Sequence, residues 1–78
     1  MTPHLSRLDQ TEPGLRVRVG RLEGQNLAVK RLQAMGLCLG REVEVLRQGN
    51  PLIVRFLNAH VGLSKHLAQQ IFVERRTQ

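Results

Sequence analysis

The apolar positions of this chain change period along its length, and each change marks an element. In "EPGLRVRVGRLEG", Leu15, Val17 and Val19 alternate with Arg16 and Arg18. That period of two sends the apolar residues to one face and the arginines to the other. It predicts a half-buried strand between the turn signals Pro13-Gly14 and Glu23-Gly24. In "QNLAVKRLQAMG" the period lengthens. Ala28, Leu32 and Met35 fall at i, i+4 and i+7, the stripe of an amphipathic helix, with Asn26 as its N-cap and Lys30, Arg31 and Gln33 on the wet side. With Met35 as the last helical residue, Gly36 takes the position where helices commonly turn left-handed, and Leu37 folds back towards Leu32. Gly40 then releases the chain into the next strand, so the two glycines make a helix-to-strand corner.

Period two returns in "REVEVLRQ", with Val43 and Val45 inward and Glu42 and Glu44 outward. Gly49–Pro51 is a turn, and "LIVRFLN", dense in β-branched and aromatic residues, is a further strand. A reversal near Asn58–His60 leads to a short strand at Val61–Leu63. Ser64 caps one helical turn over Lys65–Gln69. "IFVER" closes the fold as a strand with Ile71 and Val73 inward, and the tail "RTQ" is expected to fray. Leu5 and Leu8 in "HLSRLDQ" have the character to pack on the sheet, but the pattern leaves that stretch without an assigned state. The expected architecture is mainly β. It has about five short strands curled into a closed or nearly closed small barrel, which protects their edges. One α-helix lies between the first and second strands, and a short helical turn precedes the last.

Size narrows this further. The chain has 78 residues, one small domain, with 41% hydrophobic residues, enough for a packed core. A domain this short buries only roughly 60–65% of the surface its unfolded chain exposes, so most apolar positions have to contribute. The lone Cys38 permits no internal disulfide and no cysteine-rich zinc site. No apolar run approaches the ~18–20 residues that cross a bilayer, and the N-terminus lacks the apolar centre of a secretory signal, so a cytoplasmic protein is expected.

Charge adds a partner class. Twelve Lys+Arg against six Asp+Glu give a formal net charge of +6, nearly all of it arginine, since Lys30 and Lys65 are the only lysines. Such a surface suits an anionic partner: nucleic acid, lipid headgroups or an acidic protein face. Arg16, Arg18, Arg21, Arg31, Arg41, Arg47 and Arg55 can form a stripe. Single-strand binders, however, add aromatic stacking platforms, and here Phe56 and Phe72 are the only aromatics, both expected in the core. Nucleic acid therefore stays an electrostatic alternative.

Catalytic chemistry is thinly supplied. Glu42 and Glu44 read as a salt-bridging face rather than an acidic site, and Ser6 and Ser64 have no evident His–acid partners. "GRLEG" and "GLCLG" lack the glycine spacing and the following Lys-Ser/Thr of a phosphate loop. His4, His60, His66 and Cys38 are the soft metal-ligand types, yet nothing in their spacing forces them together, and Cys38 reads as a small hydrophobe. Met35 reads as core. No enzyme, cofactor or metal site is expected; direct transition-metal binding through His60, His66 or the glutamates is the further alternative.

The motifs "LSRL", "PGLRVRV", "RLEG", "RLQAMGLCLGREVEVL", "LIVRF", "VGLSK" and "AQQIFVE" together resemble the ferrous iron transport protein A (FeoA) family over about Leu5 to Glu74. The resemblance implies a small SH3-like β-barrel. It implies a cytosolic accessory protein of bacterial ferrous iron uptake, acting with a large membrane transporter subunit that carries a cytosolic GTP-binding domain. Similar modules end some iron-dependent transcriptional repressors. Arg31, Leu32, Met35, Gly36, Leu37 and Gly40 match the family motif as fold determinants, and no catalytic, cofactor or metal residue carries over. The loop in "RQGNPLIV" is shorter than the family's usual turn, so a partner contact made there by relatives does not transfer. Expected partner contacts are Arg16, Arg18, Arg41, Arg47 and Arg55, to the transporter's cytosolic region or to the inner leaflet. The protein is expected to be peripheral at the inner membrane through its partner.

Overall fold

The computed structural model describes residues 4–24 and 26–75. Its strands are β1 (Leu5–Arg7), β2 (Arg16–Leu22), β3 (Glu42–Arg47), β4 (Leu52–Phe56), β5 (Ala59–Leu63) and β6 (Ile71–Arg75). The helices are α1 (Leu27–Met35) and the single turn α2 (Lys65–Ala68), and a 3-10 turn spans Leu8–Gln10. All neighbouring strands are antiparallel, in the order β1-β6-β2-β3-β4-β5.

Two expectations about architecture are corrected. The sheet has six strands rather than five, because the unassigned stretch after His4 pairs with β6 as β1. The main helix consequently follows the second strand, not the first. The sheet is also unclosed: pairing runs from β1 to β5 without joining those two edges among the described residues. The reason is local. β1 is three residues long and gives way at once to the 3-10 turn, whose Leu8 is wholly buried, and α2 packs against that turn. Packing of α2 on the 3-10 turn, rather than a sixth ladder, links the two ends of the sheet.

One face of the sheet is the core. Val17 and Val19 of β2, Val43 and Val45 of β3, Leu52, Val54 and Phe56 of β4, Leu63 of β5, and Ile71 and Val73 of β6 are all buried. Period two holds in β2, β3, β4 and β6, as the alternation requires. Register irregularities at Val19/Arg21 and Val45/Arg47 are the bulges that let so short a sheet bend around its own contents.

The helix-to-strand corner forms as the sequence indicates. Asn26 Oδ1 accepts from the Val29 amide at 2.9 Å and caps α1. At the other end the Leu37 amide donates to Leu32 O at 2.9 Å and the Gly36 amide to Gln33 O at 3.1 Å, the paired bonds of a Schellman ending. Gly36 has φ 112° and ψ 0°, and Leu37 and Leu32 join the same core. Beyond it, Gly40 (φ 86°) donates to Val19 O at 2.8 Å, fastening the connector to β2.

Which face of α1 is buried differs from expectation. Val29 and Leu32 point inward, whereas Ala28 and Met35 are exposed. Leu37, returning from the Schellman turn, is completely buried, and the helix presents the Val29–Leu32 line to the core rather than the line through Met35. Phe72 is also corrected. It lies on the outer side of β6, half-buried, with the Arg21 guanidinium 4.5 Å from its ring centroid. Phe56 is in the core as expected. The β4–β5 reversal comes earlier than expected, at Leu57 and Asn58, and β5 begins at Ala59.

Candidate functional site

Alternation fixes which side chains of β2, β3 and β4 face outward, and strand register fixes which of them meet. Arg16 stands opposite Glu44, Glu44 opposite Arg55, and Arg55 opposite His60. One step along, Arg18 lies between Glu42 and Glu74. The outer sheet face is thus a checkerboard of arginine and glutamate. The Glu44 carboxylate accepts from the Arg55 guanidinium in an ion pair, so the reading of the two glutamates as a salt-bridging face holds for Glu44. Glu42 and Glu44 are each half-buried.

At one end of this face the sheet opens into a cleft of about 310 Å³. Arg16, Glu44 and Arg55 form its charged side, and Phe56, Leu57 and Asn58 bring in the β4–β5 turn. Its volume sits at the lower limit of small-molecule sites, and charge lines much of it. The turn itself is unusual. Leu57 and Asn58 have φ of 50° and 65°, a tight reversal with two successive left-handed residues, the first carrying a large apolar side chain. That side chain is 56% exposed. On its inner side it lies on Gly36: a Cβ there would come within 2.5 Å of Leu57 Cδ1. Met35, immediately before Gly36, is 51% exposed. The helix ending, the turn and the cleft are therefore one continuous stretch of surface.

The arginines singled out by sequence fall into three groups. Arg16 and Arg55 meet at the cleft, and Arg18 lies further along the same face. Arg41 is half-buried and donates from Nε to Gly36 O at 2.9 Å, so it seals the end of α1 as well as carrying charge. Arg47 is exposed at the end of β3, beyond the bulge, and Arg31 is exposed on α1. Among the described residues no three His, Cys, Asp or Glu side chains gather where a metal ion would need them; Cys38 is a half-buried free thiol. Sequence reasoning missed Leu57. The available signal was an apolar residue directly before Asn58 at the junction of two strand-like runs, where a tight turn ordinarily wants Asn or Gly.

Comparison with known proteins brings the decisive observation. The FeoA domain family model matches residues 6–75. The chain belongs to the FeoA family. Its fold is shared with an iron uptake regulatory protein (FeoA), 25% identical, with a TM-score of 0.84 over 94% of this chain and 100% of that one. The FeoA of Stenotrophomonas maltophilia, crystallised with zinc and described as a prokaryotic SH3 domain protein, is 21% identical, with a TM-score of 0.78 over 92% of this chain and 99% of that one. A manganese-dependent transcriptional repressor carries the same fold: TM-score 0.87, 22% identity, 97% of this chain but only 44% of that one. A search of curated proteins finds no match. FeoA proteins are associated with ferrous iron transport, and this FeoA chain has the SH3-like fold of its relatives. Among its described residues no helix is long and apolar enough to cross a membrane.

Proposed function

We propose that this FeoA protein is a non-catalytic accessory module of bacterial ferrous iron uptake. It binds the cytosolic GTP-binding region of the membrane transporter and regulates it from the cytoplasmic side, peripheral at the inner membrane through that partner. The match of residues 6–75 to the FeoA domain carries this reading, since it takes in nearly all of the described chain. The S. maltophilia relative is described as a candidate ferrous iron transport activating factor, which points the same way. The surface is consistent with an adaptor. It offers arginines, whose planar guanidinium pairs well with interface carboxylates, and exposed apolar side chains beside them. Ferrous iron is the transporter's cargo in this scheme, and no residue of this chain has to hold it.

Affinity capture with the purified cytosolic GTP-binding region tests the proposal. Retention of this chain is expected, together with a change in nucleotide turnover or iron uptake when it is supplied. No retention at low ionic strength would refute it. Metal binding draws on the zinc in the S. maltophilia relative but finds no donor cluster among the described residues to rest on. Anaerobic calorimetric titration with ferrous iron is expected to give no heat at micromolar concentrations.

A further inference from the structure

The cleft and the α1 ending combine three features that the fold itself does not need. The first is Leu57. A turn with two successive positive-φ residues favours Asn or Gly, and leucine at φ 50° is strained there, yet its side chain stands 56% exposed. Strain kept at an exposed position directs attention to what the side chain does outside the fold. The second is Met35, which borders Gly36 as Leu57 does and adds a second, adaptable apolar surface. The third is Arg16. It lines the same cleft as Leu57, and the carboxylate opposite it, Glu44, is engaged by Arg55; among the described residues Arg16 makes no ion pair. α1 carries Lys30 and Arg31 and no acidic residue, with Arg31 one helical turn before Met35.

We propose that Leu57, Met35 and Arg16 form one docking surface for an acidic, apolar segment of a partner protein. A large apolar side chain of that segment seats against Leu57 and Met35, and a neighbouring carboxylate pairs with Arg16. The proposal rests on the partner-binding reading above and adds to it the surface and the partner's chemistry. The cleft favours a peptide over a lipid surface. Glu42 and Glu44 line it too, and an anionic bilayer would bring its phosphates against those carboxylates, whereas a peptide can direct one carboxylate to Arg16 alone. Apolar contact at the centre with a flanking ion pair is the usual division of labour in a protein interface.

Binding to the transporter's purified cytosolic region is measured for the full chain and for Leu57→Asn, Arg16→Gln and, as a control on α2, Lys65→Gln. Leu57→Asn suits the turn and is expected to melt no lower than the native chain. It and Arg16→Gln are each expected to weaken binding by about tenfold or more, with Lys65→Gln within about twofold of native. Native binding by both Leu57→Asn and Arg16→Gln would overturn the surface and leave the partner reading standing. Absence of binding by the native chain would bring down both. Self-association lost in Leu57→Asn, seen by sedimentation, would assign the surface to a second copy. Leu57-dependent binding to phosphatidylglycerol vesicles would assign it to lipid. Either would overturn the peptide.

Discussion

At Gly36 two constraints coincide. The backbone holds φ 112° and ψ 0°, and the space a Cβ would fill is taken by Leu57 Cδ1 at 2.5 Å. Left-handed backbone in a non-glycine residue costs of order 1–3 kcal/mol, and most for a β-branched one. Gly36→Val is therefore expected to lose about 3 kcal/mol and to lower the melting temperature by roughly 10–20 °C. Gly36→Ala should fall between it and the native chain. Unchanged melting of the valine variant by circular dichroism would rule out the left-handed helix ending. The Glu44–Arg55 pair should behave differently. It is close but partly open to solvent, with the Arg55 side chain 45% exposed. Glu44→Gln is expected to change stability by less than about 1 kcal/mol, with the difference shrinking as salt is added, in a chemical-denaturation series.

At the scale of elements, α1 separates what its sequence specifies from what its neighbours decide. Asn26→Ala removes the cap on the Val29 amide and should cost about 1 kcal/mol, while Leu32→Ala empties a core position and should cost about 2–5 kcal/mol. Met35→Ala, on the exposed side, should change stability by no more than about 0.5 kcal/mol, which denaturant midpoints resolve. The limits of the helix, its cap and its glycine ending were legible because each depends on residues within one turn of chain. Its rotation was not. The stripes Ala28–Leu32–Met35 and Val29–Leu32 are both present in the sequence, and contacts with the sheet choose between them. β1 was hidden for a similar reason: three residues carry too little periodicity to announce a strand that forms only against β6. In the candidate site, alternation placed Arg16 and Arg18 outward, while the outward facing of Arg55 was not read from the sequence. Which glutamate each arginine faces depends on register, and register depends on turns and bulges that hydropathy does not encode. Phe72 shows the converse, an aromatic kept on the outer face beneath Arg21.

For the whole molecule, charge and apolar surface should act at different stages of binding. The chain carries a net +6, so an acidic partner is attracted over a Debye length, which is about 10 Å at 0.1 M salt and about 3 Å at 1 M. On the outer sheet face, however, Glu42, Glu44 and Glu74 sit opposite Arg16, Arg18 and Arg55 in register, so close to the surface much of that charge is offset. Long-range attraction mainly speeds encounter, whereas short-range apolar contact mainly slows departure. If Leu57 and Met35 seat the partner while the net charge steers it, raising salt from 50 to 500 mM should lower the association rate by about tenfold and change the dissociation rate by less than about twofold. Leu57→Asn should do the reverse, raising the dissociation rate with little effect on association. Stopped-flow or biolayer interferometry at several salt concentrations separates the two. A dissociation rate that climbs with salt as steeply as association falls would mean that ion pairs, not the apolar pair beside Gly36, hold the complex together.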